Sequence, residues 1–342
     1  MRFRRFASTG LLALIPALAG CLTRTHTVLK TRQPDVVYTT SLDNLLKQIS
    51  DRYNATQRAT LYVDMSASTG GSREGKVTEP RSGFSGYIFL QNPDHIRVLL
   101  KVPIVGSRAM EMVSDGRSFK MVIPPKDCAI VGSDTAPPAP PPGANQSLSE
   151  HLYQLRPAVI LDSLLIPPLG PGQNVSRTQD SRIIEAPKTK AGIFTGKDLR
   201  KDLIEEPDYD VEFLSQPQGQ VAHTLRVLHI SRGNLIPLLP YQQDIYDSEG
   251  HIETKALYSD YQRFGAMWFP TKIVIQRPLD ELSLTITVGN GTKFNTPLDA
   301  DTFDLPIPAN YAVQNMDDPV SAKSNPCVNH GAPAASAAPS PK

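Results

Sequence analysis

The stretch DHIRVLLKVPIVGSRAMEM, Asp94 to Met112, decides how this chain folds. Ile96, Val98, Leu100 and Val102 alternate with His95, Arg97, Leu99 and Lys101, the period-two pattern of a strand with one buried face. Met110 and Met112 then share a face of a second strand. Pro103 and Gly106 between them are ordinary turn residues. Ile104 and Val105 are not, because turns favour residues with unusual backbone angles or local hydrogen bonds. Either they are a strand end tucked into the core, or they form an apolar tip that meets an apolar partner.

The same pattern extends outward. SGYIFLQ precedes the stretch, joined to it at Asn92-Pro93-Asp94, a strong turn cluster. Earlier, LYVDMSA places Leu61, Val63, Met65 and Ala67 on one face and Tyr62, Asp64 and Ser66 on the other. VSDGRSFKMVIPP continues as a hairpin turning at Ser114-Asp115-Gly116-Arg117. Successive hairpins make an antiparallel meander. A helix is predicted before them, with Ser41 as N-cap and Leu42, Leu45, Leu46, Ile49 and Tyr53 as its apolar stripe. After the meander, SDTAPPAPPPGANQ (about 133–146) reads as a Pro-rich spacer. Ser147 and Glu150 then form a capping-box pattern for a helix through Leu155. RPAVILDSLLI follows as a short helix with Pro157 in its first turn, apolar enough to be buried on most sides. From about Arg182 strands resume in YDVEFLS, HTLRVLHISR, PYQQDIYD, HIETKALYSDYQ, WFPTKIVIQ and SLTITVG.

The predicted fold is mainly β, in the α+β class. One large curved antiparallel sheet of about eleven strands carries helices on one face, leaving the other wet. The expected boundaries are a signal segment at 1–20, a membrane tether at 21–40, the folded domain at 41–316 and a disordered tail at 317–342.

Composition excludes one function class. Lys plus Arg total 35 and Asp plus Glu 34 in 342 residues, a net charge of +1. A nucleic-acid binder would show a basic excess or stripe. The 31 prolines argue for many loops and against a helical bundle.

The N-terminus is the most specific signal. Arg2, Arg4 and Arg5 precede LLALIPALAG, Leu11 to Gly20. A spanning helix needs roughly 20 apolar residues, so this run has the size of a signal core. It ends in LAGC, which resembles a bacterial lipobox, with Cys21 the lipidated residue. Acyl chains there anchor with about 0.8 kcal/mol per buried CH₂. Leu22 follows where an Asp would resemble an inner-membrane retention signal, so an outer-membrane address facing the periplasm is expected. Cys128 and Cys327 remain, as a disulfide pair or as two free thiols.

No motif points to catalysis: GxSxG, HExxH, a P-loop and paired CxxC are all missing. His223 and His229 are an even number apart but lack a third metal ligand. Asp244, Asp247 and Glu249 do not match a calcium loop and read as a turn. No enzyme activity, metal or cofactor is expected. Met65, Met110, Met112 and Met121 cluster in the first half of the sheet, where flexible methionines suit either core filling or an adaptable apolar cavity.

These residues also carry a resemblance to a known family. Asp94 to Met112 is similar to the stretch of the outer-membrane lipoprotein receptor LolB in which an Arg-Leu-Leu strand runs into a Pro-Leu-Gly-Ser loop. Arg97, Leu99, Leu100, Pro103, Gly106 and Ser107 match in order, with one extra loop residue. VSDGRSFKMVIPP resembles a hairpin of the carrier LolA, and LDSLLIPPLG a later helix of the receptor. The LolA/LolB superfamily implies an unclosed β-barrel with a helical lid on its concave face. It implies a monomer that binds lipoprotein acyl chains in an apolar cavity, receives cargo from a LolA-like carrier and helps insert it in the outer membrane. The cavity would be lined by Leu61, Val63, Met65, Ile96, Val98, Leu100, Met110 and Met112. The membrane-inserting loop would be Pro103, Ile104, Val105 and Gly106. The alternative is a tethered lipid- or glycolipid-binding module, or an envelope scaffold, that delivers no lipoprotein.

Overall fold

The computed structural model describes residues 31–71, 76–78, 83–134, 152, 155–185, 203–217, 219, 221–233, 238–318 and 327. The signal segment, Cys21, the Pro-rich run from 135, the Ser147 and Glu150 capping pair and the tail other than Cys327 lie outside the described residues.

The chain forms two compact units, residues 1–34 with 182–206 and residues 35–181 with 207–342. In the smaller unit, β1 (Thr31–Arg32) pairs in parallel with Leu203 and Ile204 at the start of β10 (Leu203–Leu214). Arg182, near the end of β9 (Asn174–Glu185), pairs with Glu206 at 2.6 Å.

The larger unit begins with α1 (Leu42–Ala55), which Ser41 caps as the sequence predicts, its side chain accepting the Asn44 N–H at 3.2 Å. The meander follows: β2 (Arg58–Gly71), β3 (Lys76–Thr78), β4 (Phe84–Gln91), β5 (His95–Lys101), β6 (Arg108–Ser114), β7 (Ser118–Ile123) and β8 (Cys128–Ser133). Pro157 opens α2 (Pro157–Leu164). The second strand set continues from β9 and β10 with β11 (Thr224–Ser231), β12 (Pro240–Tyr246), β13 (Ile252–Phe264), β14 (Met267–Arg277) and β15 (Leu282–Val288). The short β16 (Lys293–Phe294) and β17 (Ala312–Asn315) complete it.

Neighbours in sequence pair antiparallel from β10 to β15. β15 then pairs with β2, joining the two strand sets, and β2 leads through β4 to β8. The sheet is large, curved and not closed into a barrel. Tight turns hold the register. At the Ser114–Arg117 turn, Asp115 Oδ1 accepts the N–H of Arg117 at 2.9 Å and of Ser118 at 2.8 Å, which holds its carboxyl below the usual range. Gly116 sits at φ +82, and a Cβ there would stand 2.5 Å from that of Asp94.

The alternating residues form the core as the sequence predicts. Leu61, Val63, Ile96, Val98, Met112 and Met121 pack in one cluster with Ile273 and Ile286 of the second set and with Ile160, Leu161 and Leu164 of α2. Leu45 and Ile49 of α1 pack with Tyr209, Val211, Phe213, Leu228 and Ile230.

Three expectations need correction. The described strands outnumber the expected eleven. β9 is missed because NVSRTQDSRIIE is polar and largely exposed, without alternation. β8 is missed because CAIVGS is a short continuous run, whose period cannot be told. The outer face is also not wet throughout, because Val113, Val122 and Ala129 are covered by Leu305, with Ile307 and Tyr311 alongside. Finally, Cys327, placed in a disordered tail, is fully buried and disulfide-bonded to Cys128, with their Cα atoms 5.5 Å apart.

Candidate functional site

The tip between β5 and β6 is built by three backbone hydrogen bonds. Val102 N–H donates to Ser107 O at 2.9 Å, Gly106 N–H to Val102 O at 2.9 Å and Val105 N–H to Pro103 O at 2.8 Å. The last closes a three-residue turn around Ile104, which holds φ +71. That is the rarer, strained hand of the γ-turn, and a β-branched residue there is a genuine outlier. Ile104 is fully exposed and Val105 is 74% exposed. The structure therefore rejects the tucked-in reading: both side chains point to solvent, one of them on strained backbone.

Cations flank this tip. Lys101 lies over the Tyr87 ring, 5.8 Å from its centroid. Arg108 pairs with Glu111 at 3.0 Å while staying 61% exposed. Glu111 is nearly fully buried and is also gripped by Arg97, whose Nε donates to it at 2.7 Å. Arg97 Nη1 reaches on to the Thr302 carbonyl at 2.6 Å. Alternation alone gives no sign of this anchor, since Arg97 and Glu111 occupy positions expected to be wet.

Directly inside the tip, Leu100 of β5 pairs with Met110 of β6. Both line a cavity of about 90 Å³, together with Met65, Met112, Phe84 and Ile160. Four of the eight residues expected around a cavity thus come together: Met65, Leu100, Met110 and Met112. The other four, Leu61, Val63, Ile96 and Val98, are fully buried in packed core and line neither apolar cavity.

A second apolar cavity, about 80 Å³, lies beside α1, between Leu45, Ile49, Leu228, Ile230, Met267 and Phe269. Ligand pockets usually enclose about 300–1,000 Å³, so both cavities are small by that measure.

The sheet also holds α2 by polar contacts. Gln243 Nε2 donates to the Asp162 carbonyl and the Tyr258 hydroxyl to the Ser163 carbonyl, each at 2.9 Å. Burial raises the pKa of the Asp162 carboxyl, against the pull of Arg226.

Of the two histidines, His223 is exposed. His229 lies between Asp210 at 2.6 Å and Asp244 at 3.4 Å. Burial disfavours its charge, but hydrogen bonds to the two carboxylates outweigh it and push its pKa up to about 9. Among the described residues no cluster of His, Cys, Asp and Glu can hold a metal ion. Asp247 Oδ1 accepts the N–H groups of Glu249 and His251, each at 2.9 Å, which makes that segment the turn predicted. No helix among the described residues is long and apolar enough to cross a membrane.

No family model and no curated protein sequence matches this chain. Its structure is similar to that of a LolA superfamily protein from Nitrosomonas europaea, at TM-score 0.44 and 11% identity, covering 78% of this chain and 99% of that one. It is also similar to a DUF1329 family protein from Desulfovibrio piger, at TM-score 0.43 and 12% identity over 76% and 95% of the two chains. A third similar structure, from Vibrio parahaemolyticus, is described as an outer membrane lipoprotein-sorting protein domain, at TM-score 0.41 and 9% identity over 77% and 94%.

Proposed function

We propose that this chain is a membrane-tethered protein that binds acyl chains, receives lipoproteins and helps insert them in the outer membrane. One observation carries the reading: an apolar, strained, solvent-facing tip stands directly over an apolar cavity, joined to it by the Leu100 and Met110 pair. Burying Ile104 and Val105 in lipid is worth about 1.5–3 kcal/mol each, enough for reversible dipping without a second permanent anchor. Lys101 and Arg108 at its base suit an anionic membrane surface. Cys21 would carry the permanent anchor. α2, and α1 with it, would act as a lid, moving so that the small cavities widen to admit a chain. Transfer then needs only a difference in cargo affinity between carrier, receptor and membrane.

The test is depletion of the protein followed by fractionation of outer-membrane lipoproteins, with complementation by wild type or by Ile104→Glu with Val105→Glu. Depletion is expected to mislocalise lipoproteins, and the folded double variant is expected not to restore them. Unchanged localisation on depletion would overturn the delivery role and leave a tethered lipid-binding module.

A further inference from the structure

The cavity beside α1 has a cation at its edge that no carboxylate among the described residues pairs with. Arg52, in the last turn of α1, is half-buried at its edge. Among the described residues its side chain makes one hydrogen bond, from Nη2 to the Leu238 carbonyl at 3.2 Å, and no ion pair. A guanidinium has five N–H donors and stays charged in proteins. No described carboxylate lines the cavity. The C-terminal end of α1 favours a cation there but does not satisfy those donors. Leu238, which supplies the carbonyl and lines the cavity, holds φ +55, an uncommon conformation for a bulky residue. Beyond Arg52 the lining is mainly apolar, with Gln48, Tyr53, Thr56, Tyr258 and Tyr261 as its other polar members. Trp268, 47% exposed, lines it near Met267.

An apolar hollow with one under-used arginine at its edge has the chemistry of an amphiphile site. We propose that this cavity takes the alkyl chain of an anionic amphiphile, a carboxylate or phosphate on a single chain, with Arg52 holding the head group through its free N–H donors. This inference rests on the acyl-chain reading and adds head-group selectivity to it. At about 80 Å³ the closed cavity admits only the end of a chain, so Met267 and α1 must yield as the ligand enters.

Trp268 is the only tryptophan in the sequence, and it lines this cavity. The experiment follows its fluorescence in the full-length chain carrying Cys21→Ser, purified without detergent. The probes are decanoate, decyl phosphate, decanol and decyltrimethylammonium. A saturable change is expected with the two anions, at least about tenfold tighter than with decanol or the cation. Arg52→Gln should remove that preference and Arg52→Lys should restore part of it. Tighter binding of decanoate than of decyl phosphate assigns a fatty-acid carboxylate; the reverse assigns a lipid phosphate. Equal binding of all four probes would overturn the role of Arg52 while leaving acyl-chain binding intact. No binding of any probe would overturn both. If Arg52→Gln does not fold, the anion-to-cation comparison on the Arg52 protein decides alone.

Discussion

Ile104 is the residue at which structure and function pull apart. A β-branched side chain at φ +71 is strained by roughly 1–3 kcal/mol. Fully exposed, it returns nothing to the fold. Ile104→Gly is therefore expected to raise stability by about 1 kcal/mol, after the added chain entropy of glycine is subtracted. The urea midpoint should rise while vesicle binding falls. An unchanged or lower midpoint would mean that Ile104 supports the fold. His229 supplies a second residue-scale prediction. Its folded pKa of about 9 lies above the ordinary value of 6.5, so its stabilisation is complete below pH 6.5 and disappears as pH rises through 9. Denaturation midpoints should fall across that window by the equivalent of up to about 3 kcal/mol, and His229→Gln should flatten the fall. The sequence marked the tip through its wrong turn chemistry. It could not mark His229, because Asp210 and Asp244 reach it only across β10 and β12.

At the scale of elements, the β5–β6 hairpin and its neighbour β4 place the tip. Gly86 of β4 pairs with Leu100 of β5, and the strands touch so closely that a Cβ on Gly86 would stand 1.9 Å from the Leu99 carbonyl oxygen. Gly86→Ala is expected to destabilise by about 3 kcal/mol, since backbone rather than a flexible side chain must shift. A loss below about 0.5 kcal/mol in chemical denaturation would show that β4 and β5 part easily, and the hairpin would then be a poor support for the tip. The strands β2 and β4 to β7 were legible because their apolar residues alternate; β3 was not, because three residues are too few to show a period. β9 was not, because its polar side chains do not alternate, and β17 was not, because its parallel partner β8 lies far away in sequence. The cavity was half legible. Period two marks which side chains face inward, but not which of them pack without a gap. Leu61, Val63, Ile96 and Val98 close up against their neighbours, whereas Met65, Leu100, Met110 and Met112 do not.

At the scale of the whole molecule, a disulfide within the larger unit ties the C-terminal segment to β8. The Cys128–Cys327 bond closes a separation of 199 residues beside the parallel pair of β8 and β17. Constraining so long a loop in the unfolded chain stabilises by about 2–5 kcal/mol. Cys327→Ser should lower the denaturation midpoint accordingly, and dithiothreitol should then have no further effect. A midpoint unchanged by the substitution would show that the bond constrains nothing. Cysteine count made this pair available, but only the position of β17 beside Cys128 brings position 327 within reach. Native mass spectrometry of the full-length Cys21→Ser chain, purified without detergent, tests acyl-chain binding most directly. Bound acyl lipid, lost on organic extraction, is the expected result. A bare polypeptide mass that stays bare after incubation with acyl lipid would contradict it.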